Sequence, residues 1–345
     1  SDYLPYYRQD TGGRVTMHQL LNHTSGIPSY TSLPRFFEDI SRNPYTPEEF
    51  VKKYCGGDLE FEPGAKYKYN NSGYFLLGAI IEQVTGKKYE EVLRERILAP
   101  LGMADTGYDH HQTILKRRAT GYAENCEGAY NSEYLDMKLP YAAGSLYATT
   151  EDLMKWNEAF FADRVVSAKS RELMTTPSLE NYGYGLAMAP LLNRRAVSHG
   201  GGINGFSTYL LRFPEEKITI AVLRNATFGS PSPAGMTRDI AAFLFGEKVE
   251  IRPERTVAKI DPKLIDAYVG EYELAPEFKI TMFREGACLM SQATGQPKVM
   301  LFPESDTKFF LKVVNAQVSF TKDAQGKVTG LTLHQGGAKP ARKIK

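Results

Sequence analysis

Phe61-Glu62-Pro63-Gly64 and, shortly after it, Tyr69-Asn70-Asn71-Ser72-Gly73-Tyr74 precede an apolar stretch in which Tyr74, Leu77, Ile81 and Val84 recur at helical spacing, with Gly86 as its stop. Tyr69 and Asn71 therefore sit on a connection fixed by a rigid helix, which can hold a phenol in place. A tyrosine serves as a general base only where nearby cations stabilise its phenolate or a neighbour shares its proton. Taken alone, the tripeptide also reads as a buried aromatic followed by an Asn helix cap, and the chain has 21 tyrosines among which such a pattern can arise by chance.

Outward from this stretch, the first two-thirds of the chain is mainly helical. Thr16 with Gln19, and Thr46 with Glu49 behind Pro47, have the spacing of capping boxes. A further helix opens at Thr149 with Asp152 and is expected to bury Leu153, Trp156 and Phe160. From about residue 195 the pattern turns to β. Phe206 to Phe213 and Ile218 to Leu223, separated by Pro214-Glu215-Glu216-Lys217, predict an antiparallel pair. Met236, Ile240, Phe243 and Leu244 then form the apolar face of a helix that closes the large domain near Gly246. Residues 247–261, charged and containing Pro253, read as a linker. Beyond them, short strands (Phe278 to Phe283, Val299 to Phe302, Phe309 to Val314, Leu331 to His334) alternate with turns at Glu285-Gly286 and Asp323 to Gly326, as in a small antiparallel barrel or sandwich.

A second candidate for chemistry is His199-Gly200-Gly201-Gly202, just before the Phe206 strand. Glycines there let a ligand approach the backbone and let amides point at a developing oxyanion; a flexible Gly-rich turn has the same composition. The stretch from His18 to Ile27 reads as a helix end and polar turn with two structural histidines. Metal chemistry fits poorly: the six histidines include no HExxH and no Cys at ligand spacing, His110-His111 reads as a solvated loop, and no cofactor motif occurs. The G-x-S-x-G elbow of α/β-hydrolases is also absent.

Bulk properties narrow the classes. At 345 residues, one large and one small domain are expected. A net charge of +2 from 42 basic and 40 acidic residues argues against nucleic acid and for a small-molecule or short peptide substrate. Three separated cysteines, Cys55, Cys126 and Cys288, exclude a complete disulfide framework and any CxxC metal site, and leave the redox compartment open. No apolar run reaches membrane-spanning length, and the first residues lack signal-peptide character.

Taken in order, these pieces resemble the penicillin-recognising serine hydrolases related to class C β-lactamases, D-alanyl-D-alanine carboxypeptidases, D-aminopeptidases and esterases of that fold. The matching landmarks are Tyr3-Leu4-Pro5, Val15 to Ile27, Phe61 through Tyr74, Pro100-Leu101-Gly102-Met103, Ala143-Gly144-Ser145-Leu146 and His199-Gly200-Gly201. The resemblance implies an α+β fold over residues 1–246: an antiparallel sheet flanked by helices plus an all-helical region. Tyr268-Val269-Gly270-Glu271-Tyr272 resembles part of the lipocalin-like barrels appended to some members, which places a small β-barrel domain over 262–345. That barrel is expected to shape substrate access, mediate association or act as a stabilising appendage.

In such enzymes the serine of Ser-x-x-Lys attacks a carbonyl, while its lysine and the tyrosine of Tyr-x-Asn manage the proton. The resemblance gives Tyr69 the general-base role, Asn71 a substrate hydrogen bond, and His199 a position often held by lysine. Gly200 and Gly201 fall on the substrate-binding strand, and Gly202 supplies one oxyanion amide. His199 in place of lysine is closer to the peptidase and esterase members and puts β-lactam preference in doubt. The Ser-x-x-Lys itself is expected some tens of residues before Tyr3-Leu4-Pro5, so this sequence is expected to lack it. Ser305 to Lys308 and Ser319 to Lys322 match only by accident of composition. Loss of that segment would expose a sheet edge and apolar core surface. The expectation is therefore a chain without acyl-enzyme chemistry of its own, completed by an N-terminal fragment or a domain-swapped homo-oligomer. The rival is a noncatalytic penicillin-binding-like module that recognises a ligand or partner. A bacterial member would be extracytoplasmic or periplasmic.

Overall fold

The side chains that cap helices in the sequence do so in space. In the computed structural model, which describes residues 2–249 and 255–345, Thr16 and Gln19 close a reciprocal box on α1 (Met17–Leu21). Thr46 and Glu49 do the same on α2 (Pro47–Tyr54), with Pro47 in the first turn. α3 (Asn71–Thr85) is capped by Asn70, whose side chain accepts from Gly73 N at 3.0 Å, and it stops at Gly86 with φ 67°. α4 (Thr150–Phe161) starts on Thr149, which accepts from Asp152 N.

The stripe that α3 buries deepest is Ser72, Phe75, Leu76 and Ala79; the expected Tyr74, Leu77 and Ile81 are only half-buried and Val84 is exposed. Apolar residues surround this helix, so spacing alone does not select a face. The chosen side carries small residues that admit close neighbours. Phe50 of α2 stacks on Phe75 at 4.6 Å between ring centroids, and Tyr30 packs on both. Each such ring contributes roughly 1.5–3 kcal/mol by burial. In α4, Phe160 is buried as expected, whereas Leu153 and Trp156 are half-buried.

The chain divides into two compact units, one formed by residues up to Ala119 with Glu133–Arg224, the other by Thr120–Ser132 with Asn225–Lys345. The second unit begins with the hairpin β1 (Tyr122–Asn125) and β2 (Gly128–Asn131). The first contains an antiparallel sheet of β3 (Val197–Ile203), β4 (Phe206–Phe213) and β5 (Ile218–Arg224), in that order. β4 and β5 are the expected pair, and the His199 segment adds the edge strand.

In the second unit, α5 (Pro233–Leu244) forms where an apolar face was expected, but that face is outward. Phe243 is 77% exposed, and Met236, Ile240 and Leu244 are also exposed, while Pro233, Thr237, Ala241 and Ala242 are buried. Of the expected linker 247–261, residues 250–254 lie outside the described residues.

Eight strands then close a barrel: β6 (Gly270–Ala275), β7 (Phe278–Glu285), β8 (Cys288–Ala293), β9 (Val299–Pro303), β10 (Lys308–Leu311), β11 (Ala316–Lys322), β12 (Val328–His334) and β13 (Ala338–Lys343). Each pairs with its neighbour in sequence, and β13 closes on β6 through Arg342 with Glu273 and Lys343 with Tyr272. The strand expected over Phe309 to Val314 ends at Leu311, and Val313 and Val314 are exposed. Tyr268, Tyr272, Phe309 and Phe320 fill the interior, with Tyr268 stacked on Phe320 at 4.1 Å. Cys126 and Cys288 form a disulfide that joins the β1–β2 hairpin to β8, and Lys312 pairs with Glu124 of the same hairpin at 2.5 Å. Cys55 stays a buried free thiol.

Candidate functional site

Two stretches that are separate in sequence are laced together in the first unit. Lys68 N donates to His23 O at 2.9 Å, Gly64 N to Thr24 O at 2.8 Å and Glu60 N to Gly26 O at 2.8 Å. Asn70 uses both ends of its amide, accepting from Gly73 N and donating to Ile27 O. Asn71 N donates to Ser29 Oγ at 3.2 Å and Asn71 Nδ2 to Thr31 Oγ1 at 3.1 Å. The polar turn after α1 is thus the cradle of the Tyr69–Asn71 connection, and its hydroxyls fix how the Asn71 amide is turned.

Tyr69 leaves this connection half-exposed, its ring 4.3 Å from that of His23 and 6.3 Å from that of His199. Burial pushes its phenol above the ordinary tyrosine value, and no cation acts against the shift. His199, on β3, shares a hydrogen bond of 3.0 Å between Nε2 and the Tyr182 hydroxyl. Burial lowers the His199 pKa, so at neutral pH the ring is an uncharged imidazole and not the cation that a lysine would be. Burial likewise raises the Tyr182 phenol far above its usual value. Tyr182 therefore remains protonated at neutral pH.

Tyr182 is a site residue that the sequence does not announce. Glu180 and Asn181 both adopt left-handed backbone, at φ 53° and 54°. At Gly183 a Cβ would lie 2.2 Å from Met174 O, so only glycine lets the chain pass there and present Tyr182 to His199. The alternation Tyr182-Gly183-Tyr184-Gly185 was the available signal. His23 is the second such residue: it sits between Tyr69 and Tyr182, with ring centroids 4.3 and 4.9 Å away. His18 stays outside this group and bonds Tyr184 Oη at 2.5 Å through Nδ1.

The glycines after His199 divide their tasks. Ser198 exchanges both backbone hydrogen bonds with Ala187, at 2.8 and 2.9 Å, on the edge of β3 that faces away from β4. Amides alternate from edge to edge along a strand, so the N–H groups of Gly200 and Gly202 leave from that same open edge. At Gly201 a Cβ would lie 2.5 Å from Thr208 Oγ1, whereas at Gly202 it would meet nothing within 4 Å. Gly201 thus lies tight against Thr208, whereas Gly202 has open space on the side where a Cβ would stand. Behind His199 opens an apolar cavity of about 280 Å³ lined by Trp156, Phe160, Phe161, Met174, Leu186 and Leu210 among others.

Tyr69 and His199 thus approach each other within one unit, and Asn71 and Gly202 lie on the segments that carry them. Comparison with known proteins gives this pair its context. The family model described as Beta-lactamase matches residues 1–245. The chain belongs to the beta-lactamase family. Residues 254–345 match a domain of unknown function, DUF3471. Penicillin-binding protein 4* of Bacillus subtilis is 30% identical, over 89% of this chain and 73% of its own length. Among solved structures, the octameric penicillin-binding protein homologue from Pyrococcus abyssi is 27% identical with a TM-score of 0.59, covering 95% of this chain and 78% of its own. A D-stereospecific amidohydrolase from Streptomyces is 27% identical with a TM-score of 0.62, covering 72% of this chain and 78% of its own. The beta-lactamase-family unit is α+β and the appended barrel is antiparallel, as the resemblance implied.

Proposed function

We propose that this beta-lactamase-family chain carries the proton-handling and substrate-binding half of a serine hydrolase that cleaves a D-amino-acid peptide or amide, a small ester or a β-lactam through an acyl-enzyme. The observation that carries this reading is the approach of the Tyr69 and His199 rings, 6.3 Å between centroids, with Gly202 farther along the strand that carries His199. The nucleophile is a serine of a Ser-x-x-Lys segment preceding residue 1. Its hydroxyl oxygen bonds to the substrate carbonyl carbon, its proton passes to the lysine and Tyr69, and the oxyanion rests on the amides of Gly202 and of the serine. The C–N or C–O bond then breaks as the leaving group takes that proton, and water releases the acyl group by the reverse route. Asn71 orients the substrate amide.

Two features support a further segment. Tyr69 is shifted away from the phenolate, so its role as a base calls for a cation, which the lysine of that segment would supply. The apolar cavity behind His199 is a volume that such a segment would fill. The two Ser-x-x-Lys matches within the chain lie in the barrel, Ser305 in the turn before β10 and Ser319 on β11, and neither opens a helix. The neutral His199 favours amides and esters of D-amino acids over β-lactams, whose carboxylate a lysine would attract, and the similarity to a D-stereospecific amidohydrolase points the same way. The disulfide between Cys126 and Cys288 favours an oxidising compartment.

The test is turnover by the complete reading frame of D-alanine p-nitroanilide, its L-enantiomer and nitrocefin. The D-anilide should be hydrolysed fastest. Equal rates for the two enantiomers would refute the D-amino-acid preference, and binding of a D-Ala-D-Ala peptide without any turnover would favour the noncatalytic module.

A further inference from the structure

His23 combines features that a residue serving only to fill space does not need. It is almost wholly buried, at 2% exposure, and holds left-handed backbone at φ 60°. Its Nδ1 accepts the backbone N–H of Asn70 at 3.1 Å, and its carbonyl accepts that of Lys68 at 2.9 Å. It thus grips the chain on both sides of Tyr69. Its ring is surrounded by Tyr67, Tyr69, Tyr74 and Tyr182, with His199 close enough to act on it electrostatically. None of these rings is an anion at neutral pH, and burial outweighs the rest in disfavouring an imidazolium.

An imidazole that accepts at Nδ1 and is uncharged must carry its proton on Nε2. That Nε2 is buried without a hydrogen-bond partner. An unpaired buried donor is a penalty that an apolar side chain of similar volume would avoid. The one thing an apolar side chain cannot provide is the acceptor for Asn70 N–H, and that bond sets the backbone from which Tyr69 and Asn71 project.

We propose that His23 is the positioning residue of the Tyr69 connection: as a neutral Nε2–H imidazole it holds Asn70 and the ring of Tyr69 at their distance from His199. It touches no reacting atom and acts through Tyr69. The inference rests on the serine-hydrolase reading for its catalytic consequence, but the tautomer and the grip on Asn70 stand apart from that reading.

Two measurements test it. The first uses this chain with 15N-labelled histidine: the His23 Nδ1 resonance should be that of an unprotonated ring nitrogen and Nε2 that of a protonated one, unchanged from pH 8 to pH 5. A proton on Nδ1, or a cationic ring at pH 7, would overturn the proposal whether or not the protein hydrolyses anything. The second uses the complete reading frame. His23→Leu removes the acceptor and should lower kcat by about 30-fold with KM changed less than about threefold, since small misplacements of a reacting group cost up to about 10²-fold. His23→Asn keeps an acceptor near the Nδ1 position, tolerates the left-handed backbone, and should recover most of that loss. Equal losses in both variants, or a loss confined to KM, would overturn the positioning role. If the parent shows no turnover or acylation at all, the hydrolase reading fails and the tautomer measurement still decides this one.

Discussion

At Tyr69 and His199 the chemistry is set by burial more than by charge. Burial favours the neutral form of both rings, so the proposed acyl transfer calls for a cation outside the cluster. Tyr182→Phe removes the hydrogen-bond partner of His199 Nε2 but leaves the burial that lowers the His199 pKa. A rate loss of roughly tenfold at neutral pH is expected, with the acidic limb of the kcat/KM profile nearly in place. An unchanged rate would show that the hydroxyl does not orient this histidine. His23 gives a stability signature instead. Its pKa, depressed by burial to about 4, lies below the unfolded value of 6.5, so the unfolded chain binds the proton first as pH falls. The contribution is fully present above pH 6.5 and is lost between pH 6.5 and about 4. The loss is on the order of 3 kcal/mol. Denaturant unfolding of the parent should therefore decline more steeply over that window than that of His23→Asn; parallel curves would contradict the assignment.

Among the elements, α3 is the one on which the site depends, because its N-cap Asn70 belongs to the same connection as Tyr69. Asn70→Ala loses the bond to Gly73 N and leaves the Ile27 carbonyl without its donor. A destabilisation of about 1–3 kcal/mol by denaturant unfolding is expected. Phe243→Ser on α5 should cost the described chain less than about 0.5 kcal/mol, since the ring is largely in solvent. A large loss would place a partner on that face. The caps of α1, α2 and α3, the β4–β5 pair and the barrel turns were legible in the sequence because each depends on residues a few positions apart. The buried faces of α3 and α5 were not, since both helices carry apolar residues on more than one side and tertiary packing makes the choice. Tyr69, Asn71 and His199 stand out in the sequence only as members of an ordered set of motifs. Tyr182 and His23 do not, because their places beside those rings come from left-handed backbone at and next to them and from rings contributed by distant segments.

For the whole molecule, the hairpin Thr120–Ser132 lies between two segments of the first unit in sequence yet is bonded to the barrel by Cys126–Cys288, across a separation of 162 residues. Three widely spaced cysteines did not reveal that pairing. A crosslink closing so long a loop stabilises typically by 2–4 kcal/mol. Cys126→Ser with Cys288→Ser should lower the unfolding midpoint of the second unit, whereas unchanged unfolding would show that the hairpin is held by other contacts such as Lys312 with Glu124. The central claim, that this cluster is the proton-handling half of an acylating site, is tested most directly by intact-mass analysis after incubation with penicillin or a fluorophosphonate. The complete reading frame should gain one covalent adduct, its Tyr69→Phe variant should gain it at least about tenfold more slowly, and the 345-residue chain alone should gain none. Absence of any adduct on the complete protein across several acylating probes, or an adduct rate indifferent to Tyr69, would contradict the account.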